Sequence, residues 1–533
     1  MHICYENADA KPRSIFLRSL ARNPAEGVLM ALNDSGSAGM TTPSREQVQG
    51  LVHGLRHSWI HGKACPWDVN PLQQADPHSG LSTGETDNAR EECVEAAVQS
   101  ARAAFIRWRC LPQEERQRLL LSFADRIEAN AGVLAALEAL EMGRPTADGR
   151  GLVLAGAAFV RTHARLIDLV GGDVVGADDK RLSVVWRRPR GVVLVVTPWN
   201  VPVTNVLSRA VPALAAGNAV IVKPSENCPR SAVLLAKLAS DAGIPDGVLN
   251  VVLGDGANTG KLLASHDGID MIGFTGSTVT GREIVRLSAA RSLKPVLLEC
   301  GGKSPTILLD DIFGHEQLWR AVFAGTFWNT GQLCIARTRI LLPRPRMEEA
   351  IAGLTAAAAE WPCGDPFNPT TRLGPLANRR QLTHVRRFVD EAASAGRLIE
   401  LPCPDSGIHP NGCFVSPYLV TDLQRSSRVW QEEVFGPLAV LQPFDDLDEA
   451  VALANDTRYG LAATVWTNRS REAFQLARAI EAGIIEVCSS PDTAPAWSTL
   501  QYFEPLKQSG LGVDGGLQGM RAYMVAQSIS FSH

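Results

Sequence analysis

The sequence predicts an α/β protein of two lobes built on parallel sheets, and three observations carry that expectation. From residue 191 onward short apolar runs alternate with amphipathic stretches, as in "GVVLVV", "GNAVIVKP", "PRSAVLLAKLASDAG" and "GVLNVVLG". Such alternation is the pattern of βαβ units. The run "GVVLVV" is apolar at every position after its glycine, which fits a strand buried on both faces. A second alternating set, "SPTILL", "LAVLQPF", "GLAATVWT" and "AGIIEV", follows, so the two lobes meet near residue 299.

Taken in order, "NDSGSAGMTTPS" near the N-terminus is small and polar and reads as a flexible linker or tail. "EECVEAAVQSARAAF" and "QEERQRLLLSFADRIEANAGVLAALEAL" carry apolar residues at helical period, with Pro112 separating two helices. "RLSVVWRRP" alternates like a half-exposed strand, and "GVVLVV" and "AVIV" are buried strands. The helix "PRSAVLLAKLASDAG" stops at Gly243, "GVLNVVLG" is a strand, "GANTGKLLASH" a helix and "DMIGF" a strand. "STVTGREIVRLSAA" is a further helix and "KPVLLEC" the strand that ends the first lobe.

Composition narrows the function. The 533 residues are 45% hydrophobic and 20% charged, with a formal net charge of −4. That balance gives no reason to expect nucleic acid or an anionic membrane as partner. The cysteines, eleven in number, have no regular spacing and form no CxxC pair, which excludes a zinc ribbon or thioredoxin-type site and suits free thiols in a reducing cytoplasm. No apolar run reaches the ~18 residues of a membrane span, and "MHICYENADAKPRSIFLRSL" lacks the sustained apolar core of a secretory signal. His53, His57 and His61 fall at helical spacing but without a carboxylate among them, and read as a polar helix face, not a metal site.

The chemistry-bearing residues sit where strands end. "VVLVV" runs into Thr197-Pro198-Trp199-Asn200, and "AVIV" into Lys223-Pro224-Ser225-Glu226. "DMIGF" runs into Thr275-Gly276-Ser277 and a helix, and "VLLE" ends at Glu299 before Cys300, Gly301 and Gly302. In open parallel sheets ligands bind beyond the carboxyl ends of the strands. Gly276 and Ser277 open a helix whose free N–H groups suit a pyrophosphate. Lys223 and Glu226 could bracket a ribose, the carboxylate repelling a 2′-phosphate and so favouring NAD over NADP; the plain alternative is an exposed turn. Glu299 in a dry site would have its pKa raised and serve as a general base, unless it pairs with Lys303 or Lys294. Cys334, in "FWNTGQLCIARTR", is either a small core residue or a nucleophile.

"TPWN", "KPSE", "FTGS", "LECGGKSP", "GQLC" and "EEVFGP" stand in the order and approximate spacing of the aldehyde dehydrogenase superfamily, and the chain resembles that family over roughly residues 58 to 533. The resemblance implies an NAD-dependent oxidation of an aldehyde to a carboxylic acid, with NADP as the alternative cofactor. By position, Cys334 is similar to the nucleophile, Asn200 to the side-chain donor of the oxyanion hole, and Glu299 to the base that activates water for thioester hydrolysis. Thr197, Trp199, Lys223, Ser225, Glu226, Gly256, Gly276, Ser277 and Cys300 would line the cofactor, with Glu433 and Phe435 at the nicotinamide end. No metal is implied. The implied architecture is a Rossmann-type cofactor lobe (58–170 and 191–298), a catalytic lobe (299–498) and a small β oligomerisation arm with the C-terminal segment (171–190 and 499–533), after an N-terminal extension (1–57). A homodimer or homotetramer follows as an expectation, because an edge strand needs a partner.

The pattern departs from the family at Cys300 (usually Leu), at Cys488 (usually Asn) and at "YFEPLKQSG", Tyr502 to Gly510. Cys300 is either an inert filler or a resolving thiol for Cys334. The departures near the substrate mouth leave the aldehyde open, and Arg337 raises an acidic semialdehyde unless it turns inward to a carboxylate. A coenzyme A-acylating enzyme is argued against by Glu299, and a non-catalytic relative by the intact Asn200, Glu299 and Cys334.

Overall fold

The computed structural model describes residues 42–67, 70–491 and 498–532. The expected flexible extension therefore lies largely outside the described residues. Its C-terminal end is packed structure. Ser44 and Gln47 form a reciprocal capping box on the helix Arg45–Leu51, which buries Val48 and Leu51 in the first lobe's core. The three histidines do not share a helix face, because this helix gives way to a 3₁₀ turn at Val52–Leu55 and His61 has φ of 52°.

Three helices, not two, occupy residues 91–142: Glu91–Trp108, Gln113–Ala129 and Ala131–Met142. Pro112 makes the first break as expected. The second falls at Asn130, whose φ of −108° and ψ of 16° leave the helical well while its Nδ2 bonds back to Arg126 O at 2.8 Å.

The first sheet has eight strands in the order Lys63–Cys65, Ser58–Ile60, Leu249–Val251, Ala219–Lys223, Val192–Val196, Met271–Thr275, Val296–Glu299, Gly510–Leu511. Its centre is parallel and both flanks are antiparallel. The apolar run through Val192–Val196 reads as the sequence suggested: Val193 and Val195 enter one core, Val192 and Leu194 the other. The second sheet has seven strands, with Arg339–Pro343 and Pro305–Leu308 central and one antiparallel flank, Arg397–Glu400 on Tyr418–Thr421.

A third, three-stranded sheet projects from this body. Arg181–Pro189 pairs antiparallel with Asp173–Asp178 on one side and with Met524–Ser532 on the other. Among the described residues no helix is long and apolar enough to cross a membrane.

The parallel register fixes the site. Val192–Val196, Ala219–Lys223, Met271–Thr275 and Val296–Glu299 run side by side in one direction. Their carboxyl ends, with Asn200, Lys223, Thr275 and Glu299, therefore open on one edge.

Candidate active site

The loop that carries Cys334 is held in an unusual backbone conformation. Asn329, Thr330 and Gly331 all have positive φ, of 55°, 57° and 69°. For a β-branched threonine this is strained and persists only when its surroundings over-determine it. They do: Thr330 Oγ1 donates to Gly374 O at 2.8 Å, and Asn329 Nδ2 donates to Asn200 O at 3.1 Å. Gln332 donates through Nε2 to Asn329 O and accepts through Oε1 from Ala377 N. A side chain at Gly331 would run into the carbonyl of Gly436.

The result is convergence. Asn200 Nδ2 donates to Gln332 O at 3.0 Å, two residues before Cys334, while Asn205 Nδ2 donates to Asn200 Oδ1 at 3.1 Å and fixes the amide's orientation. Gly302 packs against the carbonyl of Cys334, so the strand end carrying Glu299 abuts the thiol loop. Gly302 N donates to Glu433 Oε1 at 2.9 Å, and Glu433 lies against Gly301. Phe435, itself at φ of 55°, meets Trp199 edge-on with ring centroids 5.3 Å apart. Asn200, Glu299, Cys334, Glu433 and Phe435, drawn from both lobes, thus gather around the Cys334 loop.

Cys334 is half-buried and packs with Phe503 on Leu461, Ala462 and Ile484. Burial pushes its thiol up to about 12, and the carboxylates of Glu433 and Glu299 push the same way; the backbone N–H groups of Ile335 and Cys334 oppose them. Burial first, then Asp514, raises Glu299 well above the usual carboxylate range, with Arg209 acting against them. Glu299 Oε1 has no hydrogen-bond partner. Neither Lys303 nor Lys294 pairs with it, since both Nζ atoms are buried without a hydrogen-bond partner. Glu433 is raised to about 7, mainly by burial.

Around Glu299 stands a group that the motifs did not reveal. Arg209 pairs with Asp514 at 2.8 Å and donates from Nε to Thr275 Oγ1 at 2.9 Å. Arg144 is a second missed residue: it donates to Asn200 O, pairs with Glu138 at 3.2 Å and lies over the Trp328 ring. Arg209 is the one charge in the apolar helical stretch "VLSRAVPALAA", whereas Arg144 follows a helix end behind two glutamates in "LEALEMGR", and nothing local marks it.

The residues that the resemblance assigns to the cofactor lie along the same edge. Lys223 is 3% exposed and, among the described residues, bonds to Glu226 Oε2 at 3.5 Å; the lysine is buried, while the Glu226 side chain stands 40% exposed at the surface. Thr197 Oγ1 is buried without a partner, Ser225 is buried beside Lys223, and Gly256 borders open space. Gly276 N bonds to Glu299 O at 3.0 Å, and Ser277 caps the helix Thr278–Ser288 through Thr280 N. Unused buried donors, an adjacent carboxylate and a helix N-terminus fit a dinucleotide's ribose and pyrophosphate. Cys300 faces elsewhere: its Sγ packs near Gly281 with Phe274 and Leu298, and burial raises it to about 12.

At the substrate side, Arg337 turns inward. It pairs with Glu486 Oε2 at 2.7 Å, donates to Thr464 Oγ1 at 2.7 Å and also bonds to Ile335 O. Cys488 is buried in the second lobe's core beside Trp466, not at a mouth. The segment "YFEPLKQSG" is divided: Phe503 touches the thiol's cluster, while Ser509 clamps the Glu299 strand end through Oγ to Gly301 O and by accepting from Cys300 N. No group of metal-ligating side chains occurs among the described residues.

Known proteins resemble this chain over most of its length. The model of the aldehyde dehydrogenase family matches residues 67–529. An aminoacetaldehyde dehydrogenase of Pseudomonas aeruginosa is 39% identical, covering 82% of this chain and 87% of its own. The NADP/NAD-dependent aldehyde dehydrogenase PuuC of Escherichia coli is 37% identical over 87% of this chain and 92% of its own. Among solved structures, P. syringae AldA, an indole-3-acetaldehyde dehydrogenase in complex with NAD+ and IAA, superposes with a TM-score of 0.86 at 32% identity, covering 92% of this chain and 100% of that one. A match that runs through both lobes and into the arm is a match of the entire machine: this chain belongs to the aldehyde dehydrogenase family, and it oxidises an aldehyde to the carboxylic acid with NAD.

Proposed function

We propose that Cys334 is the nucleophile, Asn200 the oxyanion donor and Glu299 the base that activates water. The observation that carries this assignment is the meeting of the three at one point: the Asn200 amide anchored on the Cys334 loop, and an unpartnered Glu299 carboxylate on the strand end that abuts it. The Cys334 thiolate adds to the aldehyde carbon, and the second N–H of Asn200 with the Cys334 backbone N–H stabilises the resulting oxyanion. Collapse of this thiohemiacetal releases hydride and leaves a thioester on Sγ. NAD, when bound, supplies the hydride acceptor. Glu299 then takes a proton from water, whose oxygen attacks the thioester carbon and expels the Cys334 thiolate with the acid as product.

The lobe built on the eight-stranded sheet would hold the cofactor, and the lobe beginning at Glu299 would supply the nucleophile. Lys223 and Glu226 would hold the adenosine ribose, and Gly276 and Ser277 the pyrophosphate. Thr197, Trp199, Ser225 and Gly256 would line the adenosine side, and Glu433 and Phe435 the nicotinamide side; Cys300, whose thiol packs into the core near Gly281, would not. The carboxylate of Glu226 favours NAD over NADP.

The substrate we assign is a neutral or amino-bearing aldehyde, not an acidic semialdehyde. Arg337, the cation nearest the thiol in sequence, is already neutralised by Glu486, and the relative named above acts on aminoacetaldehyde. Exposed apolar residues on the arm, Val174, Val175 and Trp186, support a homodimer or homotetramer, and free cysteines support a cytoplasmic setting. NADH formation with neutral, amino and acidic aldehydes tests the reading. Activity on the first two that vanishes in Cys334→Ala supports it; activity retained in that variant overturns it.

A further inference from the structure

At the root of the arm lies a cavity of about 670 Å³, away from the catalytic cleft. Four arginines line it, Arg109, Arg116, Arg187 and Arg188, and no carboxylate does. Arg116 is the informative one. Only 7% exposed, it has no ion pair, and its Nε has no hydrogen-bond partner among the described residues. Burial lowers its pKa with no carboxylate to offset the cost. Arg187 Nε is likewise buried and unpartnered, and its one ion pair, to Asp173, is long at 3.5 Å. Arg188 reaches only Gln527 Oε1, a neutral acceptor, at 3.1 Å.

A buried guanidinium left without an anion is costly in a folded protein. The helix Pro202–Ala215 ends at this cavity, but its C-terminal dipole offers only roughly half an elementary charge. Apart from Gln113 the rest of the wall is mainly apolar, with Ile167, Met520 and Met524, and Trp186 stands 58% exposed at the lip. An anionic group held by arginines beside an apolar or aromatic body would satisfy both halves.

We propose that this cavity binds a small phosphate ester, its phosphate held by Arg116 and Arg187 and its organic part on the methionines and Trp186. Guanidinium forks match phosphate oxygens bidentately. The site is separate from the pyrophosphate-binding edge proposed for NAD, which lies at Gly276 and Ser277.

Titration calorimetry of the intact oligomer, saturated with NAD and probed with phenyl phosphate and with inorganic phosphate, tests this. The expected result is saturable binding of one phenyl phosphate per chain, tighter than inorganic phosphate and weakened by added salt. Arg116→Gln and Arg187→Gln should each weaken it by about tenfold or more. Arg187→Gln, on an exposed arm strand, should leave aldehyde turnover unchanged and so separates lost binding from lost folding. Absence of saturable heat, or wild-type affinity retained in both variants, overturns the proposal; the first is also the outcome if the ester competes with bound NAD or a partner copy's carboxylate fills the cavity.

Discussion

Cys334 lies half-buried near two carboxylates, Glu433 and Glu299, and its chemistry is set by that. With the thiol pushed up to about 12, the ionised fraction of the cofactor-free enzyme rises about tenfold per pH unit through the neutral and mildly alkaline range. Alkylation of Cys334 by iodoacetamide, followed by peptide mass spectrometry, should therefore accelerate steadily from pH 7 to 10; a plateau near pH 7 would contradict the assigned environment. Asn200→Ala should lower kcat by about 10²–10³-fold while NAD binding survives. Glu226→Ala should narrow the preference for NAD over NADP, read as the ratio of kcat/KM values, because the charge facing a 2′-phosphate is gone. Cys334, Glu299 and Asn200 were singled out in the sequence by their resemblance to the motifs of the aldehyde dehydrogenase family; position at a strand end or a glycine-flanked turn left Cys334 open between core residue and nucleophile. Arg337 was half legible: its nearness in sequence to the thiol raised a cation for the substrate, but only the fold shows Glu486, 149 residues away, neutralising it.

The element that decides the site is the left-handed turn Asn329–Gly331. Gly331→Ala would bring a side chain against the Gly436 carbonyl in a backbone conformation that alanine adopts reluctantly. We expect a cost of about 1–3 kcal/mol and a larger loss of activity than of stability, measured by thermal unfolding beside kcat. Beneath the turn, Arg144→Met leaves Glu138 buried and uncompensated and should cost about 3–5 kcal/mol, with Arg144→Lys recovering part of it. Neither feature was legible. Three successive positive φ values have no reliable residue signature when only one is glycine. The Arg144–Asn200 and Arg209–Asp514 contacts join residues far apart in the chain, so no local period records them. The extra helix break at Asn130 was missed for a related reason: the apolar period continues across it, and only the asparagine's own backbone bond marks the stop.

At the scale of the molecule, the parallel strands of the first lobe and four strands of the second followed from apolar runs and their alternation, whereas the helix Pro202–Ala215, the helices of the second lobe and the antiparallel flanks of both sheets did not. Gly510–Leu511 joins the first sheet beside Glu299 from the far end of the chain, a closure that two residues cannot announce. This closure ties the C-terminal segment to the catalytic strand and brings Asp514 to Arg209. The central claim is that the two lobes combine to make and hydrolyse a thioester on Cys334, and a single-turnover experiment on Glu299→Gln tests it most directly. With NAD and a substrate aldehyde, this variant should give a burst of about one NADH per active site, then stall, with intact-protein mass spectrometry showing one acyl group and peptide mapping placing it on Cys334. Steady turnover at the wild-type rate, or an acyl group on any other residue, would contradict the account.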